Sequence, residues 1–164
     1  AHSKSLWLNG QFHIFGGWHR KAHFVWNEEQ QQLKELHSFE GEIDEYRLAR
    51  HALMYLPSQQ RILMMPQSGK AFYSYSLIQR VCHKVSEFQP TQLFIDKFFG
   101  GQISKDERHM ICILNTEPYS ITVIDVKEMK EIKTMVQRPS TSYQDILIRH
   151  DEKMEEYVAF GYIR

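Results

Sequence analysis

Apolar and polar residues alternate in short runs along this chain, and each run is bounded by a polar turn or by glycine. The first definite instance is "FHIFGG" at 12–17, where large apolar side chains stop abruptly at two consecutive glycines. Alternation with a period of two predicts a strand whose faces differ, and the glycines predict its end. Matching runs follow polar turns in "NGQFHIFGG" (9–17), "SQQRILMMPQ" (58–67), "DERHMICILN" (106–115) and "DEKMEEYVAFGY" (151–162). With Phe15, Met65, Ile113 and Phe160 taken as equivalent, successive spacings are 50, 48 and 47 residues. A nearly constant period of that length marks a repeat architecture.

Each repeat predicts four short strands. Fourteen residues before the last three anchors stand His51, Phe99 and Ile146, which open "HALMYL", "FFGGQI" and "ILI"; "HSKSLWL" occupies the matching place in the first. Beyond the first three anchors lie "HFVW", "FYSYSLI" and "ITVID", followed by "LKELHSF", "RVCHKV" and "EIKTMV". The turns between first and second strands are "LNGQ", "PSQQ", "SKDE" and "HDEK", with Asn9-Gly10 the clearest hairpin signal. Approximate repeats are 1–50, 51–98, 99–145 and 146–164, the last supplying two strands. Two segments resist this pattern: "EIDEYRLARHALMYL" and "VKEMKEIKTMV" are rich in helix formers. The period decides for strands in both, with a short helical turn before Arg50 still allowed.

An apolar strand ending in a double glycine, with a tryptophan in the next strand, resembles the kelch repeat; here the residues are Gly16, Gly17 and Trp26. The later repeats carry Pro66-Gln67, Leu114-Asn115 and Gly161-Tyr162 at the glycine positions, so they are degenerate. The resemblance implies an all-β fold: a kelch-type β-propeller segment of about three four-stranded blades plus two strands of a fourth. It assigns Gly16, Gly17 and Gly161 an architectural role, because glycine reaches backbone conformations closed to other residues and allows close approach of neighbouring chain. A phosphate cradle would need a third glycine in G-x-G-x-x-G spacing and a following helix.

Composition adds a soluble, core-forming chain: 164 residues, 42% hydrophobic and 13% aromatic. Lys plus Arg and Asp plus Glu number 20 each, so a formal charge of zero gives no global reason to bind nucleic acid or an anionic membrane. Apolar stretches are far shorter than the roughly 20 residues of a membrane-spanning helix. Cys82 and Cys112 lack metal-site or redox spacing and predict buried, reduced thiols, which favours a cytoplasmic location.

Loops on a rigid scaffold are the usual carriers of recognition. If the strands alternate in direction, the loops after the second strands share a face with the long inter-repeat connections. On that face Trp18 and Arg20 in "GWHRKAH" are the leading protein-binding candidates, joined by Tyr46, Arg47, Tyr119 and Tyr143. His19 and His23 have an i, i+4 spacing, but in a loop entering a strand that spacing separates the rings, so no metal site is expected. No catalytic constellation or cofactor motif is legible. The expectation is a protein-interaction scaffold, not an enzyme, with a protein partner and with further blades or a second copy covering its open ends. The alternative is an enzyme on a galactose-oxidase-like or carbohydrate-active kelch propeller.

Overall fold

Alternation becomes sheet wherever a polar turn lets the chain double back. A computed structural model describes residues 3–17, 20–43, 52–66, 71–91, 94, 98–116, 120–136, 146–151 and 156–161. The first sheet contains β1 (Lys4–Leu8), β2 (Gln11–Phe15), β3 (Ala22–Asn27) and β4 (Gln32–Ser38), paired antiparallel in chain order. The second repeats the meander with β5 (Ala52–Leu56), β6 (Arg61–Met65), β7 (Tyr73–Ser76) and β8 (Cys82–Lys84). The third contains β9 (Phe98–Ile103), β10 (His109–Leu114), β11 (Ser120–Asp125) and β12 (Lys130–Val136). A final antiparallel pair joins β13 (Ile146–Asp151) to β14 (Glu156–Gly161).

Tertiary pairing overrides helix propensity in "VKEMKEIKTMV": its start is a turn and its remainder is β12, held along β11. In the other helix-like segment Ala52–Leu56 forms β5, while 44–50 lie outside the described residues.

The turns show the repeat more sharply than the strands. Asn27, Ser76 and Asp125 stand 49 residues apart, each at or next to the end of a third strand, and each side chain accepts a turn N–H. Asn27 Oδ1 accepts from Gln30 at 2.9 Å, Ser76 Oγ from Gln79 at 3.1 Å, and Asp125 Oδ1 from Glu128 at 2.7 Å. Four residues beyond each acceptor the chain turns left-handed, at Gln31 (φ 50°), Arg80 (φ 55°) and Met129 (φ 50°). Such a residue closes the turn and returns the chain in register. Between first and second strands, Asn9 (φ 50°) and Gly10 (φ 77°) adopt the paired positive φ of a type I′ hairpin.

The chain divides into two compact units, Ala1–Ser86 and Glu87–Arg164. In the first unit, the first and second sheets pack face to face. Leu8 and Phe15 from one meet Ile62, Met64, Tyr73 and Tyr75 from the other. Met54, Leu63 and Met65 alternate with the second sheet's contact residues and are also buried, so that sheet is buried on both faces. In the second unit Met110, Cys112, Leu114 and Ile124 are buried, and β13 lies against β9.

Candidate functional site

The loop from β2 to β3 begins with the double glycine. Gly16 has φ 63° and Gly17 φ 131°, a pair of left-handed conformations that places β3 alongside β2 within a few residues. Its ends are fixed by backbone bonds: Gly16 N–H donates to Ala22 O at 2.9 Å, and Arg20 N–H to Gly17 O at 3.3 Å. Arg20 is exposed on this loop. Trp18, Tyr46, Arg47, Tyr119 and Tyr143 lie outside the described residues, as does His19. Gly161 pairs with Ile146 at the end of β14.

The second polar constellation was not legible as a site. His13 from β2, His23 from β3 and Tyr75 from β7 form a relay across the two packed sheets. His13 Nδ1 lies 2.8 Å from His23 Nε2, and His23 Nδ1 lies 2.9 Å from the Tyr75 hydroxyl. Antiparallel register puts His13 opposite Val25 and Phe15 opposite His23, which brings the two rings onto the core face. Phe15 stacks on His23 at a centroid distance of 4.3 Å, and Tyr75 meets the same imidazole edge-on at 5.4 Å.

Desolvation decides the charge. His23 is 2% exposed, and burial, reinforced by the neighbouring His13, Arg80 and His37, pulls its pKa down to about 3. Burial also lowers the pKa of His13, against a hydrogen bond to the backbone of Leu8 that favours its protonated ring. A neutral His13 that donates to Leu8 has only its other nitrogen left, as an acceptor. The relay then runs one way: Tyr75 O–H donates to His23 Nδ1, and His23 Nε2–H donates to His13 Nδ1. Burial raises the Tyr75 phenol to about 12, so it stays a donor.

Beside the relay, Glu42 clamps the same interface. The turn Phe39–Ile43 is held by Phe39 N–H to Lys21 O at 2.6 Å and Ile43 N–H to Phe39 O at 3.1 Å, with both apolar side chains buried. Glu42 Oε1 bonds His37 Nε2, while its Oε2 accepts the Cys82 backbone N–H at 2.6 Å. The carboxylate therefore joins β4 to β8. Cys82 and Cys112 are free and buried; burial raises the Cys82 thiol to about 12 and pushes Cys112 further up. These shifts leave both sulfurs protonated and poorly nucleophilic.

The sequence signal for the relay was parity. His13 shares a strand face with Phe15, and His23 shares one with Val25. Tyr75, 52 residues from His23, required the packing of two repeats to be known. Among the described residues no group of three His, Cys, Asp or Glu side chains is arranged to hold a metal ion.

With this geometry in view, solved structures provide a comparison. The structure of YCF48 bound to D1 peptide matches 87% of this chain and 41% of that one, with a TM-score of 0.53 and 12% identity. An auxiliary nutrient binding protein from Bacteroides thetaiotaomicron matches 94% of this chain and 40% of its own, with a TM-score of 0.52 and 9% identity. The chain has a β-propeller fold. It spans about two fifths of each of these neighbours, and the three four-stranded sheets and one further pair among the described residues agree with an incomplete propeller. No protein-family model and no curated sequence matches it.

Proposed function

We propose that the chain is part of a kelch-type propeller acting as a cytoplasmic protein-interaction scaffold, without catalytic chemistry of its own. The observation that carries the reading is the shared fold with YCF48, a propeller described with a peptide bound. The described polar groups support the same direction. The His13–His23–Tyr75 relay and the Glu42 clamp spend their hydrogen-bonding capacity joining two sheets, while Arg20 is exposed on a turn shaped by Gly16 and Gly17. The double glycine followed by Trp26 in the first repeat, on an apolar strand pattern that recurs with a period near 50 residues, supports the kelch assignment.

The binding surface in this reading is the face of the loops after the second strands and of the inter-repeat connections, with Trp18, Arg20, Tyr46, Arg47, Tyr119 and Tyr143 as contact residues. Selection from a displayed peptide library tests it. Selected peptides are expected to lose at least about tenfold in affinity on Trp18→Ala or Arg20→Ala, about 1.4 kcal/mol. Failure to select any peptide, or binding indifferent to every loop substitution, contradicts the reading.

A further inference from the structure

The relay across the first and second sheets has one end that solvent reaches. His13 is half-buried, whereas His23 is 2% exposed and Tyr75 fully buried. A neutral imidazole donates at one nitrogen and accepts at the other, so the state of one ring fixes what its bonded neighbour must do. With His13 neutral, the bonds run from Tyr75 to His23 to His13. With His13 protonated, both of its nitrogens carry hydrogen, and its Nδ1–H faces His23 Nε2 at 2.8 Å. Two N–H groups cannot share that line. Either the bond breaks, or His23 carries its own hydrogen on Nδ1 instead of Nε2.

We propose that the relay is a pH-sensitive switch that reverses as a unit: proton uptake at His13 shifts His23 to its Nδ1–H tautomer and turns Tyr75 from donor to acceptor. Packing favours reversal over breakage. The His23 ring is held by Phe15, stacked at 4.3 Å, by His13 at 5.1 Å and by Tyr75, edge-on at 5.4 Å. Reversal moves hydrogens and rotates one hydroxyl, so the rings stay where they are and both bonds, at 2.8 and 2.9 Å, are kept. Breakage would strand a buried polar group. Tyr75 can take part because a phenol accepts as well as donates. The hydrogens balance: that on His23 Nε2 passes to His13 Nδ1, the Tyr75 hydrogen passes to His23 Nδ1, and one proton from solvent replaces it on the Tyr75 oxygen. His13 then carries the added positive charge, while His23 and Tyr75 remain neutral.

The groups around the relay set where it acts. Burial of His23, with His13, Arg80 of the turn after β7 and His37 of β4 beside it, keeps the added charge off that ring. Arg80, Cys82 on β8 and Glu42 in the turn after β4 act on Tyr75, and Glu42 is itself bonded to His37 and to the Cys82 backbone N–H. Desolvation favours neutral His13 over the bond to Leu8 that favours its cation, so the relay keeps its neutral direction at pH 7 and reverses as the pH falls below 6.5. All of these residues belong to the unit Ala1–Ser86. The inference stands apart from the loop-face reading, since none of them is a contact residue of that face.

Long-range proton–nitrogen correlation spectra of the histidine rings, recorded from about pH 8 to 4 while circular dichroism shows the chain folded, read the state of each nitrogen across the range where histidine titrates. His23 is expected to carry its hydrogen on Nε2 at the upper end and on Nδ1 once His13 is protonated, neutral throughout, with both changes sharing one midpoint below 6.5. His13→Gln has no proton to take up and should leave the His23 tautomer independent of pH. If that variant does not fold, the coincidence of the two midpoints in the wild type decides. His23 keeping its Nε2–H while His13 titrates overturns the proposal in favour of a broken bond. A doubly protonated His23, a tautomer change that persists in His13→Gln, or a His13 still neutral when the chain unfolds overturns it as well.

Discussion

Phe12 and Phe15 lie three residues apart on one strand, on opposite faces of one sheet, and have opposite fates. Phe15 is fully buried, stacked on His23 and packed into the second sheet; Phe12 is 39% exposed beside Trp7. Both faces are apolar, so hydrophobicity alone does not distinguish them. The buried face also carries directional chemistry, the His13–His23–Tyr75 relay and the Glu42 clamp. Buried polar groups are costly unless satisfied, so only an arrangement that satisfies all of them is stable. The inner face thereby specifies one neighbour, whereas the outer face, with Trp7 and Phe12 exposed, carries apolar surface without that chemistry.

The largest effect that sharpens this contrast comes from the same substitution on the two faces. Phe15→Ala should cost about 3–5 kcal/mol, the range for removing a buried aromatic side chain, while Phe12→Ala should cost under about 1 kcal/mol. Urea unfolding followed by tryptophan fluorescence reads both. Every tryptophan lies between Ala1 and Ser86, so the signal belongs to the unit that contains the two faces. Equal costs would erase the distinction.

Next in size is a pH dependence confined to the inner face. His23 titrates near 6.5 in the unfolded chain and about 3 when folded. Above pH 6.5 it is neutral in both states and contributes no slope. As pH falls below 6.5 the unfolded chain takes up the proton and the folded chain does not, so stability falls, by roughly 3 kcal/mol at pH 4. The loss continues until the folded pKa is reached. His13, also lowered, acts with the same sign. Unfolding from pH 7 to 4 should show a shallower decline in His23→Gln than in the wild type; identical slopes would mean that His23 is not desolvated.

The turns offer a smaller test that leaves both faces untouched. Asn27→Ala removes the acceptor for Gln30 N–H and should cost about 1 kcal/mol, with Asp125→Ala comparable in its own unit. Gln31→Gly should instead stabilise by about 0.5–1 kcal/mol, because a non-glycine residue at φ 50° carries left-handed strain. Thermal unfolding of these variants checks both signs.

The sequence made the sheets legible where chemistry and period coincided. Asn9-Gly10 announced its hairpin, Gly16-Gly17 the end of β2, and the recurrence of Phe15, Met65, Ile113 and Phe160 the repeat. The turns after the third strands were harder to see, because their left-handed positions are Gln31, Arg80 and Met129, residue types without a preference for that conformation. Their side-chain acceptors also vary among Asn, Ser and Asp, so similarity of function outlasted similarity of residue. The relay was hidden for a different reason. His23 stands four residues from His19, a local relation, whereas its bonded partners are His13 across the sheet and Tyr75 in the next one. Only the packing of two repeats creates that cluster.

The most direct test is a double-mutant cycle on the bond between His23 and Tyr75, using His23→Gln, Tyr75→Phe and the pair together, with unfolding free energies measured at pH 7. Neighbours in one hydrogen-bond network are expected to couple by about 1–2 kcal/mol. That result would place the two residues together across the packed sheets, as the account requires. Strict additivity would contradict it, because residues 52 positions apart in the chain have no reason to couple unless the first and second sheets meet through this bond.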